Sequence, residues 1–227
     1  MTEIGIAVDP SPAPRPKPVV LPGRIVTLRP FHQASQARAL YEGTHGPEKD
    51  ALWRYMNEGP YASRADYETA FGQKQKSVDP VFLAIVDNET DLPVGQASYL
   101  RIEPAHRSIE VGHIIFTPGL QRRPGATEAM YLMARHVFND LGYRRYEWKC
   151  NALNQPSRRA ALRLGFSFEG IFRQHMIVKG RNRDTAWFSM LDSEWPQLQS
   201  NFEQWLAPSN FDAAGGQRLS LSHLNGH

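Results

Sequence analysis

Residues 118–129 read Pro-Gly-Leu-Gln-Arg-Arg-Pro-Gly-Ala-Thr-Glu-Ala. A strand-like run, Ile109 to Phe116, precedes them, and a strongly amphipathic segment follows. A strand that turns through a short Gly/Pro loop into a helix start is a simple phosphate cradle. The free amides of the first helical turn and the helix dipole both point at whatever occupies the loop. The chemistry implied is the binding of an anionic cofactor. An ordinary strand–helix connection favours the same residue types, so the loop alone does not decide between the two.

Two further segments decide it. Tyr143-Arg-Arg-Tyr-Glu-Trp-Lys-Cys150 reads as a second strand. Asn151-Ala-Leu-Asn-Gln-Pro-Ser157 then opens a short helix that ends in Leu164-Gly-Phe166, followed by Glu169-Gly170. With these in place the chain resembles the GNAT superfamily of acetyl-CoA-dependent acyltransferases, and within it the ribosomal-protein N-terminal acetyltransferases (RimJ/RimL type). The resemblance rests on the loop Gln121 to Ala126, the run Ala126-Thr-Glu-Ala129, Asn154-Gln-Pro-Ser157, Leu164-Gly-Phe166 and Glu169-Gly170, in that order. It is dense over residues 108–191 and extends back to Arg24.

The resemblance implies an α+β GNAT fold: a mixed sheet of about seven strands flanked by helices, with two strands splayed around acetyl-CoA. It assigns the pantetheine arm and thioester carbonyl to main-chain groups of Ile114, Ile115 and Phe116. The phosphates fall to Gln121, Arg122, Arg123, Gly125, Ala126 and Thr127, and further cofactor contacts to Asn154 and Ser157. Ser157 is also the residue placed at the departing sulfur; read simply as a residue, it is a helix position beside Pro156. Asn154 suits a helix cap as well as a ligand.

Three positions depart from the family pattern. Pro124 cannot donate an N–H to a phosphate, and Arg122 and Arg123 can offset that loss with charged donors. Many relatives carry a tyrosine in the short helix that protonates the thiolate, where this chain has Ala161. The ribosomal-protein relatives carry an acidic residue a few positions beyond Glu-Gly, where this chain has Met176.

Acetyl transfer from a thioester to an amine requires removal of the amine proton, a held oxyanion and a thiolate that can leave. No covalent enzyme intermediate is needed when both substrates lie in line. Glu110 is the first candidate for base. It alternates with Val111 and is expected to share a face with Gly112 and Ile114, looking into the gap where the amine arrives. A partly buried carboxylate beside a dry thioester would have a raised pKa suited to that task; the competing reading is a solvated or hydrogen-bonded strand glutamate. His113 and His175 lie in strands and read first as structural or solvated residues. Glu147 reads as a cross-strand salt-bridge residue. The acceptor pocket is expected from segment 42–62, crowded by His45, Arg54, Trp53, Tyr55 and Tyr61, and from loop 177–183 with Arg181 and Arg183. Aromatics with a few polar groups suit a small ligand or a peptide end, and equally a flap over the sheet.

The elements that must position these residues follow from pattern. Residues 1–23 hold alternating prolines from Asp9 to Pro18, which forbid helix and favour an extended strap or a disordered leader. Residues 25–28 read as a strand and 33–41 as a helix. Ser63 with Asp66 forms a capping box for a helix through about residue 75. Residues 81–86 and 94–102 form a hairpin around the turn 87–91. Ala126, Ala129, Met130, Met133, Ala134, Val137, Phe138 and Leu141 recur at helical spacing, and Gly142 stops the helix. Strand 145–150, helix 156–164 and strands 167–176 and 184–191 around the turn 179–183 follow. Ser193 then caps a last helix to Leu206, and 207–227 reads as irregular. The organisation expected is leader 1–23, one GNAT domain 24–206 and a tail 207–227.

Composition narrows the classes. The 227 residues are 41% hydrophobic and 11% aromatic, ample for a full core. Cys150 is the single cysteine, so an internal disulfide and a cysteine-based zinc site are excluded, and no metal is expected. No apolar run is long enough to span a membrane and the first residues lack a charged-then-apolar signal, so a cytoplasmic protein is the default expectation. A net charge of +3 without a lysine/arginine block argues against nucleic acid. The function expected is an acetyl-CoA-dependent N-acetyltransferase acting on a primary amine, a protein N-terminus or a small amine, by direct attack in a ternary complex. The competing class is a non-catalytic acyl-CoA sensor. Assembly is left open between monomer and homodimer.

Overall fold

The computed structural model describes residues 4–226. Eight strands form one mixed sheet: β1 (Leu21–Pro22), β2 (Val26–Pro30), β3 (Val81–Asp87), β4 (Pro93–Glu103), β5 (Ser108–Phe116), β6 (Arg145–Asn151), β7 (Ser167–Val178) and β8 (Arg181–Leu191). Their order is β1-β2-β3-β4-β5-β6-β8-β7. All pairs are antiparallel except β5 with β6. The extra strand over the seven expected is the two-residue β1.

Helices α1 (Gln33–Thr44) and α2 (Arg64–Gln75) cover one face of the sheet. Helices α3 (Pro124–Arg135), α4 (Gln155–Arg163) and α5 (Trp195–Leu206) cover the other, with the short α6 (Leu221–Leu224) against them. Two apolar cores result. The larger holds Ile109, Val111, Met133, Tyr146, Phe188 and Trp205 beneath α3–α5. The smaller holds Phe31, Leu40, Trp53, Tyr67, Phe71 and Phe82 beneath α1 and α2.

Most elements lie where the pattern puts them. Ser63 caps α2, accepting from the Asp66 amide at 3.1 Å. The central helix is regular through Arg135, and its last turn, His136–Asp140, widens to a π-helical turn before Gly142 at φ 66°. Three local readings are corrected. The β7–β8 turn is only Lys179-Gly180, both left-handed, so Arg181 to Arg183 belong to the strand. Glu194, not Ser193, stands at the N-cap of α5, without a side-chain cap. The tail is not wholly irregular: Leu221 is fully buried, and Asn225 Nδ2 donates to the Arg163 carbonyl at 3.0 Å. Residues 4–20 run as an extended strap, tied by the Ala13 amide to the Pro104 carbonyl and by Arg107 to Asp9. No helix among the described residues is long and apolar enough to cross a membrane.

Candidate active site

The parallel pairing of β5 with β6 runs only from Ser108↔Arg145 to Val111↔Trp148. Beyond that point the two strands part, and the β6-facing edge of residues 112–116 has no strand partner. The cause lies within β5. Ser98 pairs with Gly112 and Gln96 with Ile115, so His113 and Ile114 together face Ala97. This β-bulge places His113 at φ 50° and turns the strand away from β6. Gln96 Nε2 and Ser98 Oγ donate to the His113 and Gly112 carbonyls, each at 3.2 Å. The bulge also resets the side-chain alternation. Ile114 packs into the α3 core and Ile115 into the α1/α2 core, so Glu110 shares its face with Gly112 and Ile115, not with Ile114 as expected.

His113 is largely enclosed between Phe82, at 5.1 Å between ring centroids, and Ser98, whose Oγ lies 2.8 Å from Nδ1. Burial depresses its pKa to about 4, partly opposed by the Glu58 carboxylate, so the ring is neutral at pH 7. Glu58 accepts from the Tyr61 hydroxyl at 2.6 Å and is ion-paired with Lys74.

Glu110 is buried, as expected, but not solitary. Arg101 Nη1 and Lys149 Nζ approach its Oε2 at 2.8 and 2.9 Å. Its other oxygen, Oε1, accepts no hydrogen bond from the described residues and lies beside Gly112, which has no side chain to fill the space. Lys149 also pairs with Glu147 at 2.7 Å, and Arg145 links Glu147 at 2.6 Å to Glu169 at 2.5 Å. Glu147 is a salt-bridge residue, although its partners are neighbours on its own strand rather than across the sheet. Neither Arg101 nor Lys149 was expected; Lys149 was legible as the residue two positions from Glu147, on the same face of its strand.

The loop before α3 forms the second half of the site. Gln121, Arg122 and Arg123 are exposed, and Arg122 is left-handed at φ 59°. The Arg122 amide has no partner among the described residues. Gly125 is buried where the helix crosses β2: a Cβ there would sit 2.9 Å from Val26 Cγ1. Ala126 is half-buried. Thr127 turns inward, its Oγ1 accepting from Arg163 Nη1 at 3.0 Å, so its side chain serves α3–α4 packing rather than the loop. Glu128 is a residue sequence reasoning missed. Its buried carboxylate accepts from the Arg24, Ile25 and Val26 amides at 3.0, 2.6 and 2.8 Å, pinning the start of β2 to the helix.

Across the gap, Asn154 caps α4, its Oδ1 accepting from the Ser157 amide at 3.2 Å. Ser157 Oγ accepts from Trp148 Nε1 at 3.0 Å, so its own hydrogen stays available to donate. Ala161 is fully buried and presents nothing to the gap.

Segment 42–62 folds over the open end of the sheet. Trp53 is fully buried, its Nε1 donating to the Thr44 carbonyl at 2.8 Å, and His45 accepts the Tyr61 amide at 3.2 Å. These two residues build the flap. Tyr55, whose hydroxyl donates to the Leu153 carbonyl at 3.2 Å, Lys179, donating to the Trp53 carbonyl at 2.9 Å, and Arg183, donating to Asn57 Oδ1 at 3.0 Å, tie the flap to the turn before α4 and to the β7–β8 hairpin. Arg54 stacks on Tyr55 at the exposed surface, and Arg181 is exposed. His175 bonds Thr185 Oγ1 at 2.9 Å on the same sheet face as Lys149 and Trp187.

Known proteins share this fold. The family description "Acetyltransferase (GNAT) domain" matches residues 26–167, which include the bulged strand, the loop, α3 and α4. The crystal structure of a GCN5-related N-acetyltransferase from Brucella melitensis superposes with a TM-score of 0.93 and 46% identity, over 95% of this chain and 97% of that one. The chain is 28% identical over 121 residues to the ribosomal-protein-serine acetyltransferase of Escherichia coli (strain K12), 53% of this chain and 65% of that protein. It is 30% identical over 98 residues to the uncharacterized N-acetyltransferase YoaA of Bacillus subtilis (strain 168), covering 43% of this chain. The chain spans between 55% and 65% of the length of the curated relatives it matches. The matched domain contains the bulge, the splay and the helix-opening loop, and the chain belongs to the GNAT family of acetyltransferases.

Proposed function

We propose that the protein transfers an acetyl group from acetyl-CoA to a primary amine by direct attack in a ternary complex. The observation that carries this reading is the parting of β5 and β6 at a bulge whose unpaired edge leads straight into the exposed loop of α3. A thioester arm fits such a gap: the main chain of Ile114, Ile115 and Phe116 would pair with pantetheine amides and polarise the carbonyl. The loop, with the Arg122 amide and the cationic side chains of Arg122 and Arg123, would take the phosphates. Gln121, Gly125 and Ala126 would shape this cradle, and Thr127 would contribute its backbone only, its hydroxyl being held by Arg163.

In this reading Glu110 Oε1 takes the amine proton, directly or through a water, while Arg101 and Lys149 hold the other oxygen in place. Ser157, held by Trp148 and by Asn154, donates its hydrogen toward the sulfur as the thiolate leaves. Free thiol measured over a panel of peptides and small amines tests the proposal. We expect acceptor-dependent thiol release matched by acetylated amine. Glu110→Gln should lower kcat by about 10²–10⁴, the usual worth of a positioned base. A loss under about threefold would leave proton removal to solvent and Glu110 to charge balance.

A further inference from the structure

The acceptor side of the gap carries a cation with no carboxylate of its own. Arg183, on β8, is half-buried, and its only hydrogen-bonding partner among the described residues is the neutral Asn57 side chain. Its Nε–H is enclosed and unpartnered. Three cations nearer Glu110 are ion-paired: Lys149 with Glu110 and Glu147, Arg101 with Glu110, and Arg145 with Glu147 and Glu169. Two residues along the face stands Thr185, and two further Trp187, whose Nε1–H is likewise enclosed without a partner. Lys149 Nζ lies 3.8 Å from the Trp187 ring centroid and Phe172 packs against that ring, tilted by 33° at 4.4 Å between centroids, so the indole is held from two sides.

Enclosed donors left unsatisfied are costly unless a ligand meets them. Burial is the main influence on the Arg183 guanidinium, and the Glu110 carboxylate and the Arg101 guanidinium also act on it, which puts Arg183 on the same stretch of surface as the proposed base. His175, facing this region, has its pKa lowered by burial and then by Arg101, Arg183 and Lys149, with only Glu110 opposing, so the local field is positive.

We infer that the acceptor amine also carries an anionic group, a carboxylate or a phosphate, and that Arg183, with the Trp187 indole, receives it. This rests on the acetyl-transfer reading and names the acceptor class for it. The amine nitrogen faces Glu110 Oε1 while the anion takes the unpaired guanidinium edge. A planar fork suits either anion. Dicationic amines, by contrast, would bring a second positive charge against Arg183.

Matched acceptors test the inference: phenylalanine against phenylalaninamide, phosphoethanolamine against ethanolamine, and putrescine. Thiol release by the wild-type protein should favour an anionic member over its neutral match by tenfold or more in kcat/KM, the usual worth of one charge-assisted contact. Which pair shows it identifies carboxylate or phosphate. Arg183→Gln should bring the anionic member down to the level of its match, and Arg183→Lys should retain part of the preference, which separates lost charge from lost fold. Equal rates within each pair, a preference for putrescine, or a preference surviving Arg183→Gln would overturn the inference. If no amine releases thiol, the transfer reading fails, and calorimetric titration with N-acetylphenylalanine and its amide decides the anion site. Tighter binding of the acid that Arg183→Gln removes supports the site, and equal binding overturns it.

Discussion

Acid should weaken this fold through His113 more than through an ordinary surface histidine. The ring is held neutral because the bulge folds it under Phe82 and against Ser98, and burial lowers its pKa from 6.5 to about 4. Unfolding exposes it and restores the higher value, so below pH 6.5 the unfolded chain binds the extra proton. The stabilisation is complete above about pH 6.5 and is lost as pH falls toward 4. At pH 4.5 the shift corresponds to about 2.5 kcal/mol, a large part of the roughly 5–15 kcal/mol that holds a domain. His113→Asn removes the titration and suits the left-handed backbone, which asparagine tolerates better than most residues. Urea unfolding of both proteins at pH 7 and pH 4.5 isolates the term, because the other histidines, including buried His45, are common to both. The wild-type midpoint should fall by roughly 1 M more than that of the variant. Parallel losses in the two proteins would refute the buried, neutral His113 and with it the stated packing of the bulge.

Other perturbations probe the scaffold and the cradle. Glu128→Ala strips three amides of their acceptor and should cost about 3 kcal/mol or more in chemical denaturation. Gly125→Ala must push α3 off Val26; we expect about 1–3 kcal/mol of destabilisation together with weaker cofactor binding, read by unfolding and calorimetry on one preparation. Arg123→Ala should weaken acetyl-CoA at least roughly tenfold while leaving a truncated pantetheine thioester nearly unchanged. Equal losses for both ligands would make Arg123 a structural residue.

The fold was legible where its signals are local. Period-3.6 spacing marked α3, a capping box marked α2 and alternation marked the β3–β4 hairpin, because each is written in neighbouring residues. What escaped depends on contacts distant in sequence. The bulge at His113 is a mismatch between two strands, and no pattern within β5 announces it; missing it put Ile114 on the wrong face. Glu128 lies outside the apolar spacing of α3, and nothing nearby in sequence signals its burial, because its partners lie more than a hundred residues earlier. Thr127 belonged to a motif read as cofactor-facing, but Arg163 of α4 claims its hydroxyl. The two-residue turn at Lys179-Gly180 was read too long, which hid Arg183 in a loop and away from the sheet face that gives it meaning.

Binding of acetyl-CoA tests the central claim most directly. Calorimetric titration of the whole chain should give one molecule per protein with a micromolar or tighter Kd, weaker for Arg123→Ala. No heat and no competition by CoA at high micromolar concentration would contradict the reading of the β5–β6 gap and the α3 loop as a thioester cofactor site.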